Sequence, residues 1–158
     1  MKAPSIHRTQ YDPASDTFKK EEFPFFWLAQ AHGKYTQRME KALKKINLDI
    51  PSWRVLFILK VYGESNISEI SNHAITKLPT TTRIIWRMKE DGLVETAPNP
   101  DDGRVTQVRL TPRGREMFEQ MIEVTSDLFR QSFKGLSQAQ IKRLNKLLET
   151  LFINLSDE

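Results

Sequence analysis

The sequence contains no cysteine. This absence excludes disulfides, cysteine-ligated zinc sites and thiol-based redox sensing, and it fits a reducing compartment. No run of about 18 apolar residues occurs, which is the length that a membrane-spanning helix needs. The first residues, Met1–Ser5, lack the apolar core of a secretory signal. We therefore expect a cytoplasmic protein with no membrane partner.

Groups that carry out catalysis are also scarce. The 3 histidines, His7, His32 and His73, lie neither at the i, i+4 spacing nor in the His-x-Glu pattern typical of zinc sites. No glycine-rich phosphate loop and no Gly-x-Ser-x-Gly motif is present. The sequence therefore predicts no enzyme activity, no cofactor and no bound metal.

What is present fits one domain with a core: 158 residues, of which 39% are hydrophobic. The 24 Lys and Arg exceed the 20 Asp and Glu, and the net charge of +4 permits a nucleic-acid partner without requiring one. Residues 1–20 mix polar residues and prolines without periodicity, so we interpret them as a flexible N-terminal arm. Residues 21–158 then form the single domain.

A helix that could read DNA is predicted between Leu78 and Gly92. Pro79 suits a first helical turn, where its missing N–H has no partner, and Gly92 suits the position just past the end. Four apolar side chains can face a core: Ile84, Ile85, Met88 and Leu93. The candidate DNA contacts lie at the N-terminal end or on the polar side: Thr80, Thr81, Thr82, Arg83 and Arg87.

Such a helix end fits a major groove about 12 Å wide, where Thr reaches a base edge or thymine methyl and Arg reaches guanine or phosphate. We assign Thr80 and Thr82 to bases and Arg83 to phosphate, and leave Arg87 open between the two. Taken alone, the segment fits a solvated amphipathic helix with a Thr-rich start better than a DNA-reading helix.

The residues after this helix favour the DNA interpretation. Val94–Ala97 and Val105–Leu110 alternate in character and are separated by a turn rich in Pro, Asn, Asp and Gly, which indicates a hairpin. A helix followed by a basic-tipped hairpin is a winged helix-turn-helix. The fold class predicted is mainly α with a small β-wing.

Helix-start signals place the remaining elements. Asp49 is an expected N-cap with Pro51 in the first turn of a helix that Gly63 ends. The pairs Asn66 with Glu69 and Ser137 with Gln140 fit capping boxes, and Thr111 before Pro112 starts a long helix. The winged helix-turn-helix should therefore span about residues 49–111.

Long helices flank that unit, at about residues 21–47 and 112–156. The first carries one stripe of mostly apolar residues: Phe25, Leu28, His32, Tyr35, Met39, Ala42 and Ile46. The last carries Leu144, Leu148, Leu151, Phe152 and Leu155. Helices with such apolar faces either pack against their own domain or contact a second copy of the chain. A two-fold homodimer suits a protein that reads two half-sites of DNA.

Several of these motifs together resemble the MarR family of bacterial transcriptional regulators. They are Thr82-Arg83, Arg87-Met88, Gly92-Leu93-Val94, Asp102-Gly103-Arg104 and Leu110-Thr111-Pro112-Arg113-Gly114, and the resemblance covers about residues 22–156. It implies that Arg104 enters a minor groove while Asp102 holds it in place. It also implies a dimer formed by the first, fifth and sixth helices. The lack of cysteine excludes the family's peroxide-sensing branch, and Trp86 departs from the residues usual at its position.

The resemblance further implies a repressor that leaves its operator when a small aromatic or phenolic carboxylate binds between the dimer helices and the reading head. An effector of hydroxycinnamate or benzoate type would place the protein in aromatic catabolism. The candidate pocket residues are Phe25, Trp27, His32, Tyr35, Arg38, Trp53, Arg54 and Phe57.

Each pocket residue has a structural alternative. The aromatic residues can be core, the arginines can form surface salt bridges, and His32 can be a core or dimer-contact residue or pair with an effector carboxylate. A regulator with no aromatic effector therefore stays open. A winged helix that docks proteins is the other alternative, but arginines at 83, 87 and 104 on one expected face favour DNA.

Overall fold

The computed structural model describes residues 10–156. Its helices are α1 (Pro24–Leu43), α2 (Ile50–Tyr62), α3 (Ile67–Ala74), α4 (Leu78–Glu90), α5 (Pro112–Ser132) and α6 (Gln138–Leu155). Its strands are β1 (Ser65–Asn66), β2 (Val94–Pro98) and β3 (Thr106–Leu110), and short 3-10 helices lie at Lys20–Glu22 and Lys44–Ile46. The predicted class, mainly α with a small β-wing, is confirmed.

Residues 10–17 of the expected arm form turns and bends, and residues 18 and 19 lead without regular structure to the 3-10 helix that begins at Lys20. The Lys19 N–H donates to the Gln10 carbonyl at 3.0 Å. The other residues of that arm, 1–9, lie outside the described part of the chain.

The predicted helix starts are confirmed because each side chain caps the backbone as expected. Asp49 Oδ1 accepts the Ser52 N–H at 2.8 Å, and Thr111 Oγ1 accepts the Gly114 N–H at 3.0 Å. Both capping boxes, at Asn66 and at Ser137, are complete. At the other end of α4, Gly92 has φ 73°, a left-handed conformation that glycine adopts without steric cost.

The sheet is antiparallel in the order β1-β3-β2. The predicted hairpin pairs β2 with β3 in a register that sets Val94 against Leu110 and Thr96 against Val108. The two-residue strand β1 was not predicted, since Ser65 and Asn66 are too few to show an alternating pattern. It pairs Ser65 with Val108 and so fixes the start of α3 to the wing.

The core lies where α2, α3, α4, the sheet and parts of α1 and α5 meet. Leu56 of α2, Ile70 of α3 and Ile85 of α4 are fully enclosed there. The predicted inward face of α4 is confirmed, because Ile84, Met88 and Leu93 are buried as well. The exposed face of α4 therefore lies over a packed core.

The apolar stripe predicted along α1 divides into two parts. Met39 and Ala42, near the C-terminal end, are buried, whereas Phe25, Leu28 and His32 are exposed. His32 is therefore not a core residue within one chain, and a dimer contact or a contact with an effector carboxylate stays a prediction. Helix α6 has no buried residue, although it spans Gln138–Leu155. Among residues 10–156, no helix has both the length and the hydropathy needed to cross a membrane.

Candidate nucleic-acid interface

Helix α4, called the reading helix below, turns one of its predicted DNA contacts inward. The side chain of Thr81 is only 1% exposed, and its hydroxyl lies 2.7 Å from that of Thr76. Thr81 is on the same face as Ile84, Ile85 and Met88, so the assignment of Thr81 to DNA is not supported by this geometry. The three-residue spacing from Thr81 to Ile84 could have revealed this.

The other residues at the start of the reading helix are more accessible. Arg83 is exposed, and Thr82 is half-buried with its hydroxyl donating to the Leu78 carbonyl at 2.9 Å. Thr80 is half-buried and lines a small cavity of about 70 Å³ with Pro51 and Val55. Among the predicted contacts in the first turns of the reading helix, Arg83 is therefore the most exposed.

Arg87 is held by the start of α2. Its Nη2 donates to Asp49 Oδ2 at 2.6 Å and to the Ser52 hydroxyl at 3.0 Å. Partial burial acts to raise the pKa of the Asp49 carboxyl, but hydrogen bonds from Ser52 and the Arg87 charge outweigh it, so the pKa is lowered. Arg87 therefore fixes the reading helix against α2, a role that its sequence position did not reveal.

The tip of the wing presents Arg104 on a rigid carboxylate. Asp102 Oδ1 accepts from both the Arg104 Nε and the Arg104 backbone N–H at 3.1 Å, and Asp102 Oδ2 accepts from Nη2 at 3.3 Å. The hydrogen bond from the Arg104 side chain, followed by that from its backbone, lowers the pKa of Asp102. The Arg104 side chain is nonetheless 92% exposed, so its charge remains available to a partner outside the protein.

Asn99 organises the loop that carries this pair, and sequence reasoning did not single it out. Its side-chain oxygen accepts the N–H of Asp101 at 2.8 Å and that of Asp102 at 3.2 Å. Its own N–H donates to the Val105 carbonyl at 2.8 Å and closes the loop. An Asn followed by Pro and two Asp residues is a known turn former, which is the signal that could have identified it.

A second region combines some of the predicted pocket residues. Trp53, Arg54 and Phe57 of α2 line one side of an open cavity of about 440 Å³, and the end of α3 and the residue after it line the other side. The remaining lining residues are Ile58, His73, Ala74 and Ile75. We call this the aromatic cavity. Its histidine is His73, which stacks on Tyr62 with ring centroids 4.0 Å apart.

Tyr35 lies close enough to Arg54 for its ionisation to be affected. Partial burial raises the pKa of the Tyr35 hydroxyl, and the Arg54 charge opposes that shift without cancelling it. The Tyr35 ring lies 6.4 Å from that of Phe129 on α5. Tyr35 and Arg54 are thus the predicted pair that the fold brings together where α1, α2 and α5 approach each other.

The other predicted pocket residues are not brought to the aromatic cavity. Phe25, Trp27 and His32 are exposed on α1, and Arg38 donates to the Gln131 side chain of α5. The reason is that α1 packs on the core through residues at its C-terminal end, Met39, Ala42 and Leu43. Its N-terminal half therefore does not reach α2 within one chain.

Comparisons with known proteins agree with this architecture. Residues 48–106 match the family model described as the MarR family. Over 147 residues the chain is 64% identical to the HTH-type transcriptional repressor IacR of Pseudomonas putida, covering 93% of this chain and 88% of that one.

Two solved structures share the fold. A MarR variant from E. coli complexed with operator DNA has a TM-score of 0.75 and 24% identity, covering 87% of this chain and 99% of that one. A Bordetella bronchiseptica protein, BpsR, whose DNA binding is regulated by 6-hydroxynicotinic acid, has a TM-score of 0.70 and 23% identity. Its alignment covers 79% of this chain and 95% of that one.

Proposed function

The chain belongs to the MarR family, and from that premise we propose that it is a homodimeric transcriptional repressor. It binds a pseudo-palindromic operator and is released by a small aromatic carboxylate. The observation that carries the DNA-binding part is the wing tip, where a 92% exposed guanidinium is held by a carboxylate and a backbone loop. A fixed cation at the end of a hairpin loses little freedom on entering a minor groove. The repressor name of the Pseudomonas putida relative supports the direction of regulation.

Dimerisation is supported by the surfaces that one chain leaves open. Leu144, Leu148 and Phe152 of α6 are exposed, as are Phe25 and Leu28 of α1. Apolar faces of this extent in a small protein usually contact another molecule. A two-fold dimer places two reading helices about 34 Å apart, which is one turn of the major groove.

The aromatic cavity supports the effector part of the proposal. Trp53 and Phe57, with ring centroids 6.2 Å apart, offer apolar walls, and the Arg54 guanidinium offers a partner for a carboxylate. The volume of about 440 Å³ falls in the usual range for small-molecule sites. The 6-hydroxynicotinic acid that regulates the Bordetella bronchiseptica protein is itself an aromatic carboxylate.

The position of the cavity suggests how an effector reaches the DNA surface. His73, Ala74 and Ile75 belong to the end of α3 and the turn before the reading helix. Ile75 has φ 53°, which is rare for a β-branched residue, and its side chain is 86% exposed. A ligand that contacts this turn changes the constraint on the first turn of the reading helix.

The DNA-binding proposal is tested by selecting duplexes from a random library with the wild-type protein and titrating the winners at several salt concentrations. Arg104→Ala should weaken binding and reduce the slope of log K against log salt by about 0.9, since one phosphate-neutralising charge is lost. The matched control is Arg130→Ala, because Arg130 is an exposed arginine paired with Asp127 on α5. Equal affinities for wild type and Arg104→Ala would contradict the role of the wing.

The effector proposal is tested by thermal shift with a panel of benzoates and hydroxycinnamates. An acid at 100 times its dissociation constant stabilises the native state by about 2.7 kcal/mol and by linkage weakens DNA binding. Arg54→Gln should lose this response while binding DNA without ligand as wild type does. His32→Ala is the control, since His32 lies outside the aromatic cavity. A response that is lost in His32→Ala and kept in Arg54→Gln would contradict the assignment, as would a wild type that no acid stabilises.

A further inference from the structure

A cleft of about 330 Å³ separates the reading helix from the wing. Three of its lining residues, Leu78, Thr82 and Trp86, follow each other at four-residue spacing and so form one ridge of the reading helix. Arg104 closes the cleft from the wing side, and Ser68 from the start of α3. We call this the wing cleft.

Trp86 is the largest group in the wing cleft. Its indole is 46% exposed and points away from the buried face formed by Ile84, Ile85 and Met88. A large apolar side chain left accessible between polar contact residues is a feature of binding surfaces. Trp86 therefore leaves nearly half of its surface accessible to a partner.

The indole is also held in position. The Lys89 ammonium lies 4.8 Å from the centre of the ring, and its Nζ donates to Thr96 Oγ1 on β2 at 2.8 Å. A cation over a tryptophan face is attractive, and the hydrogen bond to the strand fixes that cation. One face of the ring is thereby covered by protein, and the indole is oriented before any ligand arrives.

The part of a DNA duplex that can enter the wing cleft follows from the positions of the reading helix and the wing. When the reading helix lies in a major groove and Arg104 in the adjacent minor groove, the strand that separates the two grooves must pass between them. That strand offers phosphates to Arg104 and deoxyribose rings to Trp86. We propose that Trp86 packs against a deoxyribose of this strand and supplies a sequence-independent, non-ionic part of the DNA affinity. The proposal rests on the proposed DNA-binding function and deepens it.

This role of Trp86 predicts two properties of DNA binding. An apolar contact with a sugar releases no counterions, so loss of Trp86 shifts the plot of log K against log salt without changing its slope. A sugar carries no base identity, so the loss weakens all duplexes alike. In both respects Trp86 differs from Arg104, whose loss reduces the slope, and from a base-reading residue, whose loss changes sequence preference.

The experiment titrates wild type, Trp86→Ala and Trp86→Phe with a duplex selected by the wild type and with an unrelated duplex, at several salt concentrations. We expect Trp86→Ala to bind both duplexes about tenfold more weakly with an unchanged slope, and Trp86→Phe to recover most of the loss. Tyr11→Ala is the control, because Tyr11 is a comparably exposed aromatic residue, at 54%, that lies outside the wing cleft. The variants are compared at concentrations where all are dimeric.

A second measurement does not remove Trp86. The chain has 3 tryptophans, so Trp27→Phe combined with Trp53→Phe leaves Trp86 as the single indole. Its emission should change on titration with either duplex. Unchanged emission, unchanged affinity in Trp86→Ala, or a new base preference when selection is repeated with Trp86→Ala would each overturn the proposal. If the wild type selects no duplex and shows no salt-dependent binding, the proposed DNA-binding function itself fails.

Discussion

Two regions of the chain have similar helix starts but differ in burial. One is the reading head, residues 49–111, and the other is the outer helices, which are residues 24–34 of α1 together with α6. Helix α3 and helix α6 both start with a complete capping box. Yet α3 buries Ile70 and Ala74, whereas α6 buries nothing within its own chain. Since most helical stability in proteins comes from packing rather than from propensity, the outer helices require a surface that one chain does not provide.

The two regions are joined at the start of α5. The Thr111 hydroxyl donates to the Gly92 carbonyl at 2.6 Å, and its N–H donates to the Leu93 carbonyl at 3.1 Å. The segment that follows the reading helix is thus bonded to the N-cap residue of α5.

Deletion of α6 should have the largest effect on the protein. Deleting residues 137–158 should leave the protein monomeric, aggregated or unfolded, because each leucine or phenylalanine that the dimer would bury contributes about 1.5–3 kcal/mol. Light scattering should then show loss of a species of twice 18.4 kDa. A soluble truncated monomer that binds operator DNA like the full chain would refute this role of α6.

A pair of truncations compares the two regions directly. Ile85→Ala, at a fully buried position of the reading helix, should lower the free energy of unfolding by about 2–5 kcal/mol at every protein concentration. Leu147→Ala, at a 54% exposed position of α6, should act mainly on the dimer, so that its effect grows as the protein is diluted. Urea denaturation at two concentrations distinguishes them. Equal, concentration-independent losses would mean that α6 is covered by its own chain.

Two glycine-to-alanine substitutions test the packing where the start of α5 meets Gly92 and Leu93. A Cβ at Gly114 would collide with the Leu93 carbonyl oxygen and lie 3.3 Å from a Leu110 methyl, so Gly114→Ala should cost about 3 kcal/mol of stability. A Cβ at Gly33, in the exposed half of α1, would meet nothing within 4 Å. Gly33→Ala should therefore be neutral or stabilise the monomer fold by about 0.5–1 kcal/mol. Thermal denaturation of both variants measures these effects. An unchanged melting temperature for Gly114→Ala would show that α5 does not pack tightly against Leu93.

The smallest effect concerns the contact between Arg87 and Asp49. Asp49→Asn keeps an N-cap acceptor but removes the charge that faces Arg87, so we expect a loss of roughly 0.5 kcal/mol, typical of a half-exposed pair. Because the folded-state pKa of Asp49 is lowered, its contribution is present above the unfolded pKa of about 4 and is lost as the pH falls through the folded-state value. Denaturation of wild type and variant should differ at pH 7 and converge below pH 4. A constant difference would show that the charge is not responsible.

Sequence reasoning succeeded where a feature depends on neighbours in the chain. The caps at Asp49 and Thr111, the turn at Gly92 and the hairpin from Val94 to Leu110 are all local, and the structure confirms them. For the predicted pocket the expectation was met only in part within one chain: Trp53, Arg54 and Phe57 share a cavity, whereas Phe25 and His32 are exposed, because their positions depend on where α1 crosses the core. Sequence reasoning also missed β1, whose two residues pair only with a distant strand.

The sequence by itself determined the helices, the hairpin and a wing in which Asp102 and Arg104 are two residues apart, because hydrogen bonds and sterics within a few residues decide them. The tertiary structure alone decided that Arg87 binds Asp49, that His73 rather than His32 lines the aromatic cavity, and that Trp86 lies in the wing cleft. These outcomes depend on which face of a helix meets which neighbour. That choice is made by burying the largest apolar area of several elements at once, and no single segment contains it.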